Sequence, residues 1–196
     1  MAILYKVQVG AFAEKANAEK RLAELREKGF YGVIIEVDDG KEKKPEKVIG
    51  ARKVYELMAP YIDKKTAHDD FVKEYNKMMD VVHHSKITTK NAWCTMFINL
   101  NFWKAGYLDL IGYGKRAEIL MEHAQKKGTW KSGSDDIKFG DVIICQNSKG
   151  VPNHSEFALG GNKFISGNMA GGVHIRTRNS LKTVKGRIRP KYPKEG

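Results

Sequence analysis

Two residues of the chain combine the right type with the right surroundings for nucleophilic catalysis, Cys94 and His154. Cys94 lies in TTKNAWCTMFINLNFW, where a polar stretch gives way to an apolar run that reads as a helix. Asn91, with Thr88 and Thr89 as alternatives, is a suitable N-cap, which puts Cys94 in the first turn. There the helix dipole and the unpaired backbone N–H groups favour a thiolate, the reactive form of cysteine. His154 follows Pro152 and Asn153 and opens the strand-like segment HSEFALG. An imidazole at the mouth of a strand, next to a turn, can face a cleft and take a proton from a thiol. Taken singly, each has a plainer reading: a buried structural cysteine and a surface histidine.

Other chemistries are poorly provided for. The remaining histidines are His68, His83, His84, His123 and His174, and neither HExxH nor CxxC occurs. Adjacent His83 and His84 point about 100° apart on a helix and do not readily share one ion, so a zinc hydrolase is disfavoured and no metal or cofactor is expected. No phosphate-binding loop or dinucleotide fingerprint is present. Cys145 sits inside the apolar segment VIICQ and reads as core. With two cysteines and no other sign of oxidative export, free thiols are expected.

The elements that must position the pair follow from periodicity. Residues 4–9 and 30–37 alternate as strands around a helical segment at 14–28, with Ala18, Leu22 and Leu25 on one face and Gly29 as its stop. Residues 38–47, DDGKEKKPEK, are charged and nearly devoid of apolar side chains, the best domain boundary in the chain. Helices are expected at 50–59, ending at Pro60; after Thr66 as N-cap, with Phe71, Tyr75, Met78, Met79 and Val82 as a core stripe; at 93–104; and at 114–127. From 139 onward FGDVIICQ, HSEFALGG, NKFISGN and VHIRTR are short strands split by Gly, Asn and Pro. The expected class is α+β: a small β-α-β module at 1–40, a linker at 41–49, and a domain at 50–192 with helices first and an antiparallel sheet after.

Composition narrows the function classes. The 196 residues carry a formal charge of +12, unevenly spread: residues 1–50 hold ten Lys/Arg against nine acids, and residues 174–196 hold eight against one. A basic surface attracts polyanions, whether nucleic acid, acidic membranes or anionic cell-wall polymers, and Arg187, Arg189 and Lys191 are the expected carriers. No aromatic-laced basic motif marks a nucleic-acid partner. No apolar run reaches the roughly 20 residues of a membrane span, so no membrane partner is expected. The N-terminus lacks the features of a secretory signal, which suggests synthesis in the cytoplasm without a leader.

The wording around the pair adds a resemblance. NAWCTMFI, KKGTWKSGSDDIKFGD and GDVIICQ…NHSEFALGGNKFISGNMAGGVHIRTR, spanning about residues 85–180, resemble the catalytic half of NlpC/P60 peptidases and the related CHAP amidases. The resemblance implies a papain-like fold and a peptidoglycan hydrolase, as in phage endolysins. Cys94 would attack the carbonyl, His154 would take and return the proton, and a third polar residue would orient the imidazole. Ser166 fills the family's position for that third residue, where His, Asn or Gln is usual. Asn168, two residues on and able to share Ser166's face in an extended chain, is preferred, because its amide oxygen can accept the imidazole N–H. Trp93 and Asn153 are expected to line the substrate cleft. The segment YKVQVGAFAEKANAEKRLAELREKGF resembles the opening of SPOR domains, which bind peptidoglycan glycan strands; only one strand–helix–strand unit is apparent, so pairing with a second copy of the chain is expected. The leading expectation is an endopeptidase acting at the bacterial wall. An N-acetylmuramoyl-L-alanine amidase and a non-catalytic wall-binding protein are the alternatives.

Overall fold

The computed structural model describes residues 10–27, 37–38, 41–42, 48–65, 67–82, 86–88 and 92–193. The chain divides into two compact units, Met1–Lys47 and Val48–Gly196.

In the first unit, helix α1 spans Lys15–Glu27, and strands β1 (Val37–Asp38) and β2 (Lys41–Glu42) form a two-stranded antiparallel hairpin. Strand β2 falls in the segment expected as linker, with Val37 paired to Glu42 and Asp38 to Lys41. The strand expected at 4–9, most of that expected at 30–37 and the N-cap Thr66 lie outside the described residues.

The second unit is α+β, helices first and a sheet after. Helices α2 (Gly50–Met58), α3 (Ala67–Val81), α4 (Cys94–Ala105), the short α5 (Leu108–Ile111) and α6 (Ala117–Lys126) precede six strands. These are β3 (Trp130–Ser132), β4 (Val142–Gln146), β5 (Pro152–Gly160), β6 (Lys163–Met169), β7 (Gly172–Thr177) and β8 (Val184–Ile188), in the antiparallel order β3-β8-β4-β5-β6-β7. Phe71, Tyr75, Met78 and Met79 form the expected stripe of α3 and are fully buried. Asp69 and Asp70 in its first turn complement the helix dipole. Pro60 does not end the helical path abruptly; the chain tightens into a 3-10 turn at Ala59–Tyr61. Helix α4 is buried almost all round, as expected of a helix that is apolar on every face. It ends in a Schellman arrangement: Gly106, at φ 78°, donates to Trp103 O at 2.9 Å, and Tyr107 donates to Phe102 O at 2.7 Å.

The sheet buries side chains on both faces. Val142, Ile144, Phe157, Ile165 and Ile188 join the helices in the main core, whereas Ile143, Cys145, Ala158, Phe164 and Val184 form a smaller cluster on the other face. Strands β3 and β8 were not legible in the sequence. Gly186 and two arginines make TVKGRIR look like a basic tail. Gly186 is required because a Cβ there would strike the Trp130 ring and the backbone of β3.

Arg187 of β8 and Arg189 just after it correct the expectation of a free basic surface. Arg187 is 7% exposed and lies 3.7 Å from Asp141. Arg189 donates to both Asp141 carboxylate oxygens, at 3.0 and 2.8 Å, and to Asp136 at 3.0 Å. Two of the three residues expected to face wall polymers are therefore internal counterions. Asp141→Ala should destabilise the unit by about 3–5 kcal/mol, because it strands a buried guanidinium. The expected reading is a fall of roughly 10 °C in the thermal midpoint; a change under 2 °C would show that the pair contributes little.

No helix among the described residues is long and apolar enough to cross a membrane.

Candidate active site

Cys94 is the first residue of α4 and is 7% exposed. The N-cap position belongs to Trp93, without a side-chain cap, rather than to Asn91, Thr88 or Thr89. The first-turn N–H groups have no intrahelical acceptor and leave the positive end of the dipole beside the thiol. Trp93 is 1% exposed, stacked on His68 at 5.2 Å and on Phe71 at 4.8 Å. Its expected place on the substrate-cleft wall is corrected: the indole is too large and apolar to leave the core and anchors the start of α4 from within. Asn153 is exposed, next to His154.

The same two elements bring Cys94 and His154 together. α4 packs on β5 and β6. A Cβ on Gly167 would stand 3.1 Å from Phe97 Cβ, so glycine there lets β6 approach the helix closely. A buried pair of hydroxyls fastens the helix start to β5: Ser155 Oγ donates to Thr95 Oγ1 at 3.0 Å, and Thr95 Oγ1 is 3.9 Å from Cys94 Sγ. The His154 side chain and the backbone N–H of Ser155 both lie near enough to Cys94 to favour its ionised form. Replacing Thr95 by Val removes the pin and leaves Ser155 buried without its acceptor. This should cost about 1–3 kcal/mol of stability. It should also cost about tenfold or more in kcat/KM if the pin sets the Cys94–His154 geometry; unchanged kinetics would limit the pin to a packing role.

Burial opposes ionisation of Cys94, but the hydrogen bond and charge of His154, aided by Ser155 N–H and Thr95, hold the thiol below its ordinary range. Burial alone would also depress His154. The proximity and negative charge of Cys94 and Glu156 outweigh it and push the imidazole up to about 9. Each partner raises the other's tendency to be charged, which favours the thiolate–imidazolium form over the neutral pair.

His154 Nε2 lies 2.7 Å from Ser166 Oγ. Asn168 is not its partner. Strand β6 shifts register between Gly167 and Met169, and Asn168 adopts φ 60°, so it leaves the alternation that would have given it Ser166's face. The sequence carries no visible mark of that bulge.

Sequence reasoning missed Glu156. It is fully buried, with Oε1 3.5 Å from His154 Nε2 and 3.4 Å from an Arg176 guanidinium nitrogen, and Oε2 2.8 Å from Arg178 Nε. One signal was available: an acid inside the apolar run SEFALG, with arginines two residues apart on a nearby strand. Cys145 is buried beside this group, and burial pushes its thiol up to about 12, so it is not a second nucleophile. No cluster of three or more His, Cys, Asp or Glu side chains able to hold a metal ion occurs among the described residues.

Residues 2–75 match the SPOR domain family model. The match continues past the unit boundary through α2 into α3, whose Val54, Met58, Phe71 and Tyr75 belong to the core of the second unit. Among solved structures, the chain is similar to an NlpC/P60 family protein from Bacillus cereus, at 17% identity and a TM-score of 0.39, covering 50% of this chain and 31% of that one. It is similar to NlpC1 from Trichomonas vaginalis at 21% identity and a TM-score of 0.37, covering 52% and 35%. It is also similar to the peptidoglycan hydrolase RipB from Mycobacterium tuberculosis at 10% identity and a TM-score of 0.35, covering 90% and 86%. The chain thus spans about a third of the length of the first two. No curated protein matches.

Proposed function

We propose that the protein is a cysteine peptidoglycan hydrolase that cuts an amide bond in the stem peptide or cross-bridge. The observation that carries the chemistry is the mutual pairing of Cys94, at a helix start, with His154, at the head of a strand. The SPOR match over residues 2–75, together with the NlpC/P60 resemblance of residues 85–180, supports the wall as substrate.

The Cys94 thiolate attacks the amide carbonyl and forms a C–S bond. The His154 imidazolium passes its proton to the nitrogen as the C–N bond breaks, leaving a thioester on Cys94 and a free amine. Neutral His154 then takes a proton from water, whose oxygen attacks the thioester; the acid departs and the thiolate–imidazolium pair is restored. Ser166 Oγ accepts from Nε2–H and keeps the ring aligned throughout. An endopeptidase and an N-acetylmuramoyl-L-alanine amidase share these steps and differ only in the amide presented. The test is clearing of a suspension of purified walls by the full chain. Iodoacetamide treatment should abolish it, and clearing that survives complete alkylation of Cys94 would refute the reading.

A further inference from the structure

The hydrogen bond to Ser166 accounts for the direction of the His154 ring but not for a buried carboxylate beside it. Glu156 is held rigidly. Arg178 grips Oε2 and is itself fixed by Thr183 Oγ1 at 2.9 Å, by Cys145 Sγ at 3.0 Å and by the Phe164 ring, 5.8 Å below the guanidinium. Cys145 Sγ donates weakly to the same oxygen at 3.9 Å. Oε1, by contrast, has no hydrogen bond of ordinary geometry although it is buried, and the groups facing it are Arg176 and the imidazole. A carboxylate present only to neutralise Arg178 would not need to turn its second oxygen toward His154.

We propose that Glu156 is a positioning residue for His154: its buried carboxylate holds the imidazolium in place through an ion pair at Nε2 and shields it from Arg176 and Arg178. The charged and titratable groups that act on the ring are Cys94 from α4 and Glu156 from β5, with the neutral Ser166 from β6 at Nε2; Glu156 is faced in turn by Arg176 from β7, Arg178 just after it and Cys145 from β4. Without Glu156 the ring would lose its buried counter-charge, and its charged form would be disfavoured. This role rests on Cys94 and His154 acting as nucleophile and base, but not on the identity of the substrate.

The test therefore reads the thiol rather than wall hydrolysis. Iodoacetamide labelling of Cys94 in the full chain is followed by peptide mass spectrometry across about pH 5 to 10, for the parent, Glu156→Gln and Arg176→Gln, with circular dichroism to verify folding. In Glu156→Gln, labelling at pH 7 should fall about tenfold or more and its onset should move to higher pH, one unit of pKa being a tenfold change in thiolate. In Arg176→Gln, which leaves Oε1 to the imidazolium alone, the onset should move to lower pH. A folded Glu156→Gln chain that labels like the parent overturns the proposal. So does an Arg176→Gln chain whose onset stays in place or moves to higher pH, and this second variant decides the matter alone if Glu156→Gln does not fold. Failure of wall clearing with these labelling results intact would count against the substrate, not against Glu156.

Discussion

Cys94→Ala is expected to lower hydrolysis of purified walls by roughly 10³-fold or more while leaving the fold in place, because no other group on the chain can form the thioester. The side chain is small, sits at a helix start and makes few core contacts, so the thermal midpoint should move by the equivalent of about 1 kcal/mol or less. Cys145 does not substitute, since burial and the Glu156 carboxylate keep its thiol protonated through neutral pH. Cys94→Ser should be nearly as inactive, because the hydroxyl lacks the thiol's readiness to ionise beside an imidazole. Activity within tenfold of the parent in either variant would remove Cys94 from the mechanism.

His154→Ala is expected to cost about 10²–10⁴-fold in kcat/KM, the usual range for a general base and acid. Its effect on the thiol is separately measurable. With His154 present, the thiolate is held by its partner, so alkylation should already be fast near neutral pH and level off. Without His154, the remaining dominant influence on Cys94 is burial, which raises a thiol, so alkylation should be slow at pH 7 and rise only in alkali. In the parent, the alkaline limb of activity should fall near pH 9, where His154 loses the proton the leaving amine needs. The sign for stability follows. The folded value of His154 lies above the ordinary 6.5, so the charged ring's contribution is complete below about 6.5 and is lost as pH rises through about 9. An unchanged alkylation profile in His154→Ala would separate the two residues.

What the sequence disclosed and what it withheld divide along physical lines. Cys94 and His154 were legible because each stands where an element changes, polar to apolar at 94 and turn to strand at 154, and local pattern reports such junctions. The core stripe of α3 was legible because periodicity fixes which side is buried. The third partner of the site was not: Ser166 and Asn168 are equivalent in an ideal strand, and only the shift between Gly167 and Met169 separates them. Trp93 looked like a cleft wall because it adjoins the thiol, but Phe71 and His68, distant in sequence, claim its faces. Arg187 and Arg189 looked like a solvated basic tail because Asp141 and Asp136 lie about 50 residues earlier in the chain. Glu156 was overlooked for the same reason. Its meaning comes from Arg176 and Arg178, about 20 residues later in the chain, and a long-range ion pair leaves almost no trace in local composition.

Mass spectrometry of the soluble products released from purified walls by the full chain tests the central claim most directly. The account predicts fragments with a newly freed amine and a newly freed carboxyl at one amide bond of the peptide portion, released by the parent and absent with Cys94→Ala. Products bearing new reducing sugar ends, or the same peptide products from the Cys94→Ala chain, would contradict it.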